Sequence, residues 1–181
     1  NLYLAWHDNE FSRSYQVLSS SKAPGADWLY PVNVSATEQD SFVPSMVRDS
    51  AGTLHIAWTD LTPGNWEIFY GSSLDGVNWD APVNVSNNEG RSSNPSLALD
   101  AEDTLYVAWE DDTAGDPDIR YSYKPKDGSW SESENVSLNS GRSTNPRLVS
   151  DAQGNLYLVW NDDTPGNWDI YFASKPKSGP W

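Results

Sequence analysis

Trp28, Trp79, Trp130 and Trp181 stand at a constant spacing of 51 residues in a chain of 181. Composition alone does not produce such a period. Each stretch must therefore be one supersecondary unit that buries its apolar surface by stacking on copies of itself. Pro44, Pro95 and Pro146 keep the same register, as do Asn33, Asn84 and Asn135, Asp49, Asp100 and Asp151, and Trp58, Trp109 and Trp160. Trp6 is one residue out of phase, so an insertion or deletion lies between residues 6 and 28 or in the loop after them.

Within a repeat the pattern predicts four short strands. In the third copy, Pro95 to Leu99 is apolar and extended, and a turn at Asp100 to Asp103 leads into the β-forming run Leu105, Tyr106, Val107, Ala108 and Trp109. A polar loop, Asp111 to Pro117, returns to Ile119 through Tyr123, and a last strand is expected from Trp130 to Val136. The second strand is apolar on both faces, which suits a sheet covered by neighbours on each side. No segment has the period or length of a helix.

The expected fold is therefore all-β, a β-propeller of four-stranded antiparallel blades with a 51-residue repeat. Asn1 to Trp6 matches Asn155 to Trp160, so the chain begins at the second strand of a blade and stops at Trp181, where a fourth strand would begin. The expected blades run approximately over residues 1–40 (without a first strand), 41–91, 92–142 and 143–181 (without a fourth), two whole and two incomplete. Incomplete end blades would expose apolar faces, so either a longer parent chain or self-association is expected to close the ring.

The 26 acidic side chains outnumber 11 basic ones for a net charge of −15. Such a surface repels nucleic acid and anionic membrane, since binding either needs Lys and Arg to displace counterions. No apolar run approaches the roughly 20 residues of a membrane span. Ten Trp, nine Tyr and no Cys suit a large extracellular or cell-surface propeller, which needs no disulfide staples.

Ser73, Asp75, Gly76 and Trp79 resemble the Asp-box of bacterial neuraminidase (BNR) repeats, with a spacing one residue short of the usual box. The third copy offers Lys124, Asp127, Gly128 and Trp130, the fourth Lys175, Ser178, Gly179 and Trp181, and the first only Lys22, Gly25 and Trp28. With its Trp-x-Asp after the second strand and Asp-Ile-x-Tyr entry to the third, the repeat is similar to sialidase-like propeller repeats of secreted bacterial proteins. In that family the box is structural and lies opposite the active site, so the resemblance implies a fold rather than a catalytic centre.

Antiparallel strands place the loops between strands two and three on the same face as the connections from strand four to the next blade. One set of residues there is Asp60, Thr62, Gly64, Asn65, Trp66 and Glu67, with copies running from Asp111 to Asp118 and from Asp162 through Asn167 and Trp168 to Asp169. The second set is Gly90 to Asn94, containing Arg91, and its copy Gly141 to Asn145, containing Arg142. Aromatic rings stack on sugar faces while Asp, Asn and Arg hydrogen-bond hydroxyls. The candidate ligand residues are Trp66, Trp168, Asp60, Asp111, Asp162, Asn65, Asn167, Arg91 and Arg142. Turn architecture is the competing explanation, because Gly-Asn suits a tight turn and Asp and Thr tie down loop amides. Pro117 replaces the Trp in the third copy, so the junctions are not equivalent.

Asp111, Asp112, Asp116 and Asp118, or Asp162, Asp163 and Asp169, offer oxygen ligands to Ca²⁺, but lack the alternating Asp pattern and Gly of an EF-hand loop. Solvated acidic loops are the preferred reading, and no cofactor is expected. The Asn-Val-Ser sequons at Asn33, Asn84 and Asn135 read as strand-end residues, although they would be glycosylation sites in a eukaryotic secreted protein. His7 and His55 do not match in the repeat and support neither a metal cluster nor a triad.

Sialidases similar to this repeat use three arginines, a Tyr–Glu nucleophile and an Asp acid/base drawn from different blades. Of six arginines only Arg91 and Arg142 recur on the expected ligand face. Near-identical copies offer equal surfaces, whereas catalysis needs unequal groups at one centre. The expected function is an extracellular propeller module that binds glycans or a protein partner through its blade-junction loops. The alternatives are a segment of a sialidase-like glycoside hydrolase and a purely structural scaffold.

Overall fold

The computed structural model describes residues 1–10 and 12–181. Among the described residues fourteen strands form four antiparallel sheets in chain order. The first sheet holds β1 (Leu2–Asp8), β2 (Gln16–Lys22) and β3 (Val32–Asn33). The second holds β4 (Ser41–Arg48), β5 (Leu54–Asp60), β6 (Glu67–Ser73) and β7 (Val83–Asn84). The third holds β8 (Ser92–Leu99), β9 (Leu105–Asp111), β10 (Asp118–Lys124) and β11 (Glu134–Asn135). The fourth holds β12 (Ser143–Ser150), β13 (Leu156–Asp162) and β14 (Asp169–Lys175). Every hydrogen-bonded neighbour is consecutive in sequence, the meander of a propeller blade.

Consecutive sheets pack face to face through three apolar layers. Val17, Val34, Ile56 and Trp58 join the first two sheets. Ala57, Ile68, Leu97, Val107 and Trp109 join the second and third, and Ala108, Ile119, Tyr121, Leu156, Leu158 and Trp160 the last pair. Leu105 to Trp109 are all buried because β9 is covered on both faces, as its unbroken apolar run requires. Side-chain hydroxyls stitch the layers together: Leu97 N–H donates to Ser45 Oγ and Leu148 N–H to Ser96 Oγ, both at 3.0 Å.

Trp130 and Trp181 are wedges between sheets. Trp130 meets Tyr70 of the second sheet edge-on at 5.3 Å, and Trp181 meets Tyr121 of the third at 5.2 Å. The expected strand from Trp130 to Val136 shrinks to Glu134–Asn135. Ser131 N–H still reaches Tyr123 O at 2.8 Å, but its hydroxyl takes the Tyr123 N–H at 3.1 Å, so a side chain replaces a ladder bond. The first strand is longer than expected, beginning at Ser92, and contains a bulge between Ser93 and Ser96 at the Asn94–Pro95 step.

The bulge residue has positive φ in each copy: Val43 at 51°, Asn94 at 55° and Asn145 at 54°. Asn tolerates that conformation, whereas a β-branched side chain is strained in it. Val43→Asn is therefore expected to raise the unfolding free energy by about 1 kcal/mol in urea titration. A loss of stability instead would mean that Val43 packing outweighs the strain.

The repeat's phase shift lies in the first β-hairpin. Asp8 pairs with Gln16 and Asp60 with Glu67, so the loop 9–15 has one residue more than the loop 61–66. The sequons are strand ends. Asn33, Asn84 and Asn135 accept the amides of Ala36, Asn87 and Leu138, while Ser35, Ser86 and Ser137 accept those of Val17, Ile68 and Ile119. At the other end, Asp75 accepts the amides of Val77 and Asn78 at 2.8 Å, and Ser73 accepts that of Gly76 at 2.8 Å. Those bonds hold the Asp75 carboxyl well below its usual range. The third and fourth copies turn instead on Pro125 O and Pro176 O, each accepting a Gly amide at 2.9 Å.

Candidate functional site

The loops after β5, β9 and β13 interlock with the segments that join one sheet to the next. Asn65 donates to Glu67 and to the carbonyls of Asn88 and Gly90, and Leu61 N–H donates to Asp40 O. Arg91 N–H donates to Asp112 Oδ1 at 2.6 Å while Asp112 N–H returns a bond to Arg91 O, and Arg142 and Asp163 repeat the exchange. The contact is so close that a Cβ on Gly90 would lie 2.5 Å from the Thr113 backbone, and one on Gly141 2.5 Å from that of Thr164. Only glycine allows the two chains to pass there.

Asp60, Asp111 and Asp162 do not face solvent. Each is buried and accepts the hydroxyl of Ser41, Ser92 or Ser143 at 2.8 Å, the indole N–H of Trp58, Trp109 or Trp160, and the amide of Thr62, Thr113 or Thr164. Asn88 and Asn139 add a further donor to Asp111 and Asp162. Burial works to raise Asp111 and Asp162, yet bonds from Thr113, Ser92 and Trp109 lower Asp111, and those from Thr164, Trp160 and Ser143 bring Asp162 to about 2. Their oxygens are consumed by the fold, as are the amide protons of Asn65. Asn167 is exposed and donates to Asp169.

Trp66, Arg91, Trp168 and Arg142 do reach the surface of this face. Trp66 and Arg91 share a cleft of about 220 Å³ between the second and third sheets, together with Phe42, Val43, Thr59 and Asn94. The Arg142 guanidinium lies over the Trp168 ring at 5.6 Å. Arg91 and Arg142 also meet at a smaller cleft of about 100 Å³, beside Glu110, Asp112 and Pro117. Glu110 there accepts Ser93 Oγ at 2.7 Å and Asn145 N–H at 3.0 Å.

Three aromatic residues beside Trp66 escaped the sequence reading. Phe42 stands 5.6 Å from Trp66 and 4.9 Å from Tyr15, and His7 is 5.2 Å from Phe42, giving a continuous aromatic strip across two sheets. Tyr15 is 51 residues before Trp66 and so is its first-copy equivalent. That offset was the available signal, and the extra residue in the preceding loop obscured it. Phe42 and His7 carry none, since their copies are Ser93 and Thr59. His55 lies elsewhere, against Tyr70 at 2.7 Å and Asp49 at 3.4 Å, and its burial lowers its pKa. Among the described residues no group of three His, Cys, Asp or Glu side chains is placed to hold a metal ion.

No protein family matches the chain, and no curated protein sequence does. Solved structures match it throughout. An endo-arabinase from Bacteroides thetaiotaomicron superposes with TM-score 0.61 at 17% identity, covering 99% of this chain and 72% of that one. The GH93 α-L-arabinofuranosidase of Fusarium graminearum, in complex with arabinobiose, gives 0.67 at 14%, covering 96% and 58%. The intramolecular trans-sialidase of Ruminococcus gnavus gives 0.61 at 14%, covering 96% and 40%.

The fold is a β-propeller.

At these identities the likeness concerns the fold alone, and this propeller spans well under two thirds of the last two chains. All three of those structures are enzymes named for glycan chemistry.

Proposed function

We propose that this propeller is an extracellular module that binds glycans on the face that carries Tyr15, Phe42, Trp66 and Arg91. The observation that carries the reading is the strip His7, Tyr15, Phe42 and Trp66 ending in the cleft beside Arg91. A sugar ring lies against such rings through its C–H face, while the Arg91 guanidinium and the Asn94 amide hydrogen-bond its hydroxyls. The structural similarity to enzymes acting on arabinan and sialosides supports a carbohydrate partner, and the bonds at Asp75 support the BNR-type resemblance.

Calorimetric titration with arabino-oligosaccharides and with sialyllactose tests the reading. One of them is expected to bind, and Trp66→Ala to weaken it by about tenfold or more, roughly 1.4 kcal/mol. Binding of neither sugar, or unchanged affinity in the variant, would overturn it.

The meeting of Arg91 and Arg142 at one cleft beside Glu110 favours a second reading, a segment of a sialidase-like hydrolase. Release of a chromophore from a sialoside, abolished by Arg91→Ala or Arg142→Ala, would establish that reading. Leu2 and Leu4 on the first sheet and Val149, Ile170 and Phe172 on the last are exposed, which supports closure by further blades, from a longer chain or a second copy. Light scattering of the 181-residue chain is expected to give a mass above one chain, and a strict monomer would count against closure by self-association.

A further inference from the structure

The opposite end of the strands carries a larger cleft, of about 460 Å³, between the third and fourth sheets. Tyr121 on β10 forms its floor and is only 2% exposed. Tyr106 and Tyr123 stack beside Tyr121 at 6.2 and 6.3 Å, and Glu134 and Lys175 stand on the rim.

Among the described residues the Tyr121 hydroxyl has no hydrogen-bond partner. Its oxygen is not sealed from solvent but opens into the cleft, where it is available to a ligand. The repeat gives the reason. In the second sheet the equivalent phenol, Tyr70, bonds His55 Nδ1 at 2.7 Å. The third copy has Tyr106 where the second has His55, and Tyr106 gives its own hydroxyl to Asp100 Oδ2 at 2.8 Å. The partner of Tyr121 has been removed.

Three other departures from the second copy fall in the same cleft. Tyr123 stands where that copy has Ser72, Glu134 where it has Val83, and Glu102 where it has Ala51. Packing between sheets requires none of these, since the second and third sheets join without them. Each adds a ring face or a carboxylate to a surface that opens on water.

We propose that this cleft is a second carbohydrate site, separate from the one at Trp66, which takes a neutral sugar. Tyr123 is 39% exposed and offers a ring face for stacking. The Tyr121 hydroxyl and the Glu134 carboxylate hydrogen-bond ring hydroxyls from below and from the rim. Lys175 gives one proton to Gly179 O at 2.6 Å and keeps two for a ligand. Lys177 pairs with Glu102, so the rim carries balanced charge and offers no excess to attract an anionic sugar.

The test is a panel of arabino-, xylo-, galacto- and gluco-oligosaccharides titrated against protein carrying Trp66→Ala, which isolates this cleft from the other face. At least one is expected to bind. In that background Tyr123→Ala should raise its Kd roughly tenfold and Tyr121→Phe several-fold, while Tyr70→Phe leaves it unchanged. Tyr121→Phe removes an unbonded hydroxyl, so its Tm is expected not to fall. Should that variant unfold, the exposed Tyr123→Ala change decides alone. The proposal fails if no panel sugar binds the Trp66→Ala protein, or if Tyr123→Ala leaves the affinity intact. Loss of the Trp66 site with retention of this one would separate the two assignments.

Discussion

Alanine at Asp111 is expected to lower the unfolding free energy by about 3 kcal/mol or more, measured by urea denaturation. The carboxylate accepts bonds from Ser92, Asn88, Trp109 and Thr113 and lies 3.5 Å from Arg120 Nε. Its removal strands several donors that water cannot reach. Asp111→Asn keeps the shape but turns one acceptor into a donor, so an intermediate loss is expected. A change below about 0.5 kcal/mol, the usual range for exposed positions, would show that the carboxylate is not the anchor of this hairpin.

The same acids predict acid lability. Their folded pKa values are depressed, to about 2 for Asp162 from a reference of 3.8, so the unfolded chain takes up protons first. Their contribution is fully present above the unfolded value and is lost as pH falls from about 4 towards 2. Between pH 7 and 5 these groups should leave Tm unchanged, and Asp162→Asn should reduce the loss seen at lower pH.

The second large effect is expected at Trp130. Trp130→Ala opens the layer between the second and third sheets, where the indole meets Tyr70 and packs against the core around Trp109. A loss of about 3 kcal/mol is expected from the transfer and cavity terms together. Trp28→Ala at the equivalent position of the first copy should cost under about 1 kcal/mol, because that ring is 42% exposed. Trp130→Phe should cost less than Ala for a separate reason. The indole nitrogens of Trp79, Trp130 and Trp181 are buried without a hydrogen-bond partner, so losing the N–H removes a liability along with the bulk. Equal losses at Trp28 and Trp130 would mean that the repeated ring stabilises its own hairpin rather than the junction.

The strand order was legible because two kinds of spacing coincide, a long repeat and short β-forming runs broken by turn residues. Strand ends were less legible. Trp130 looked like the start of a strand because it is aromatic and follows a Gly-Ser turn, but the ring turns into the layer between sheets and Ser131 caps the neighbouring amide. Candidate residues on the loops divided according to side-chain direction, which sequence does not report. Asp60, Asp111 and Asp162 recur as faithfully as a binding motif would, yet they recur because these three hairpins share the same buried acceptor. Trp66 reaches the surface from the loop just after Asp60, and Arg91 from the segment that leads into β8.

The sequence by itself determined that this chain is a stack of like sheets, since a 51-residue period requires each unit to bury its faces against its copies. It also determined which residues repeat. Only the tertiary structure decided what repetition means at each position, because burial depends on the neighbouring sheet. It gathered His7, Tyr15, Phe42 and Trp66, which share no motif, into one strip, and left the Tyr121 hydroxyl unpaired where Tyr70 has His55. Both arise from contacts between residues distant in sequence, where one changed copy alters the surroundings of another.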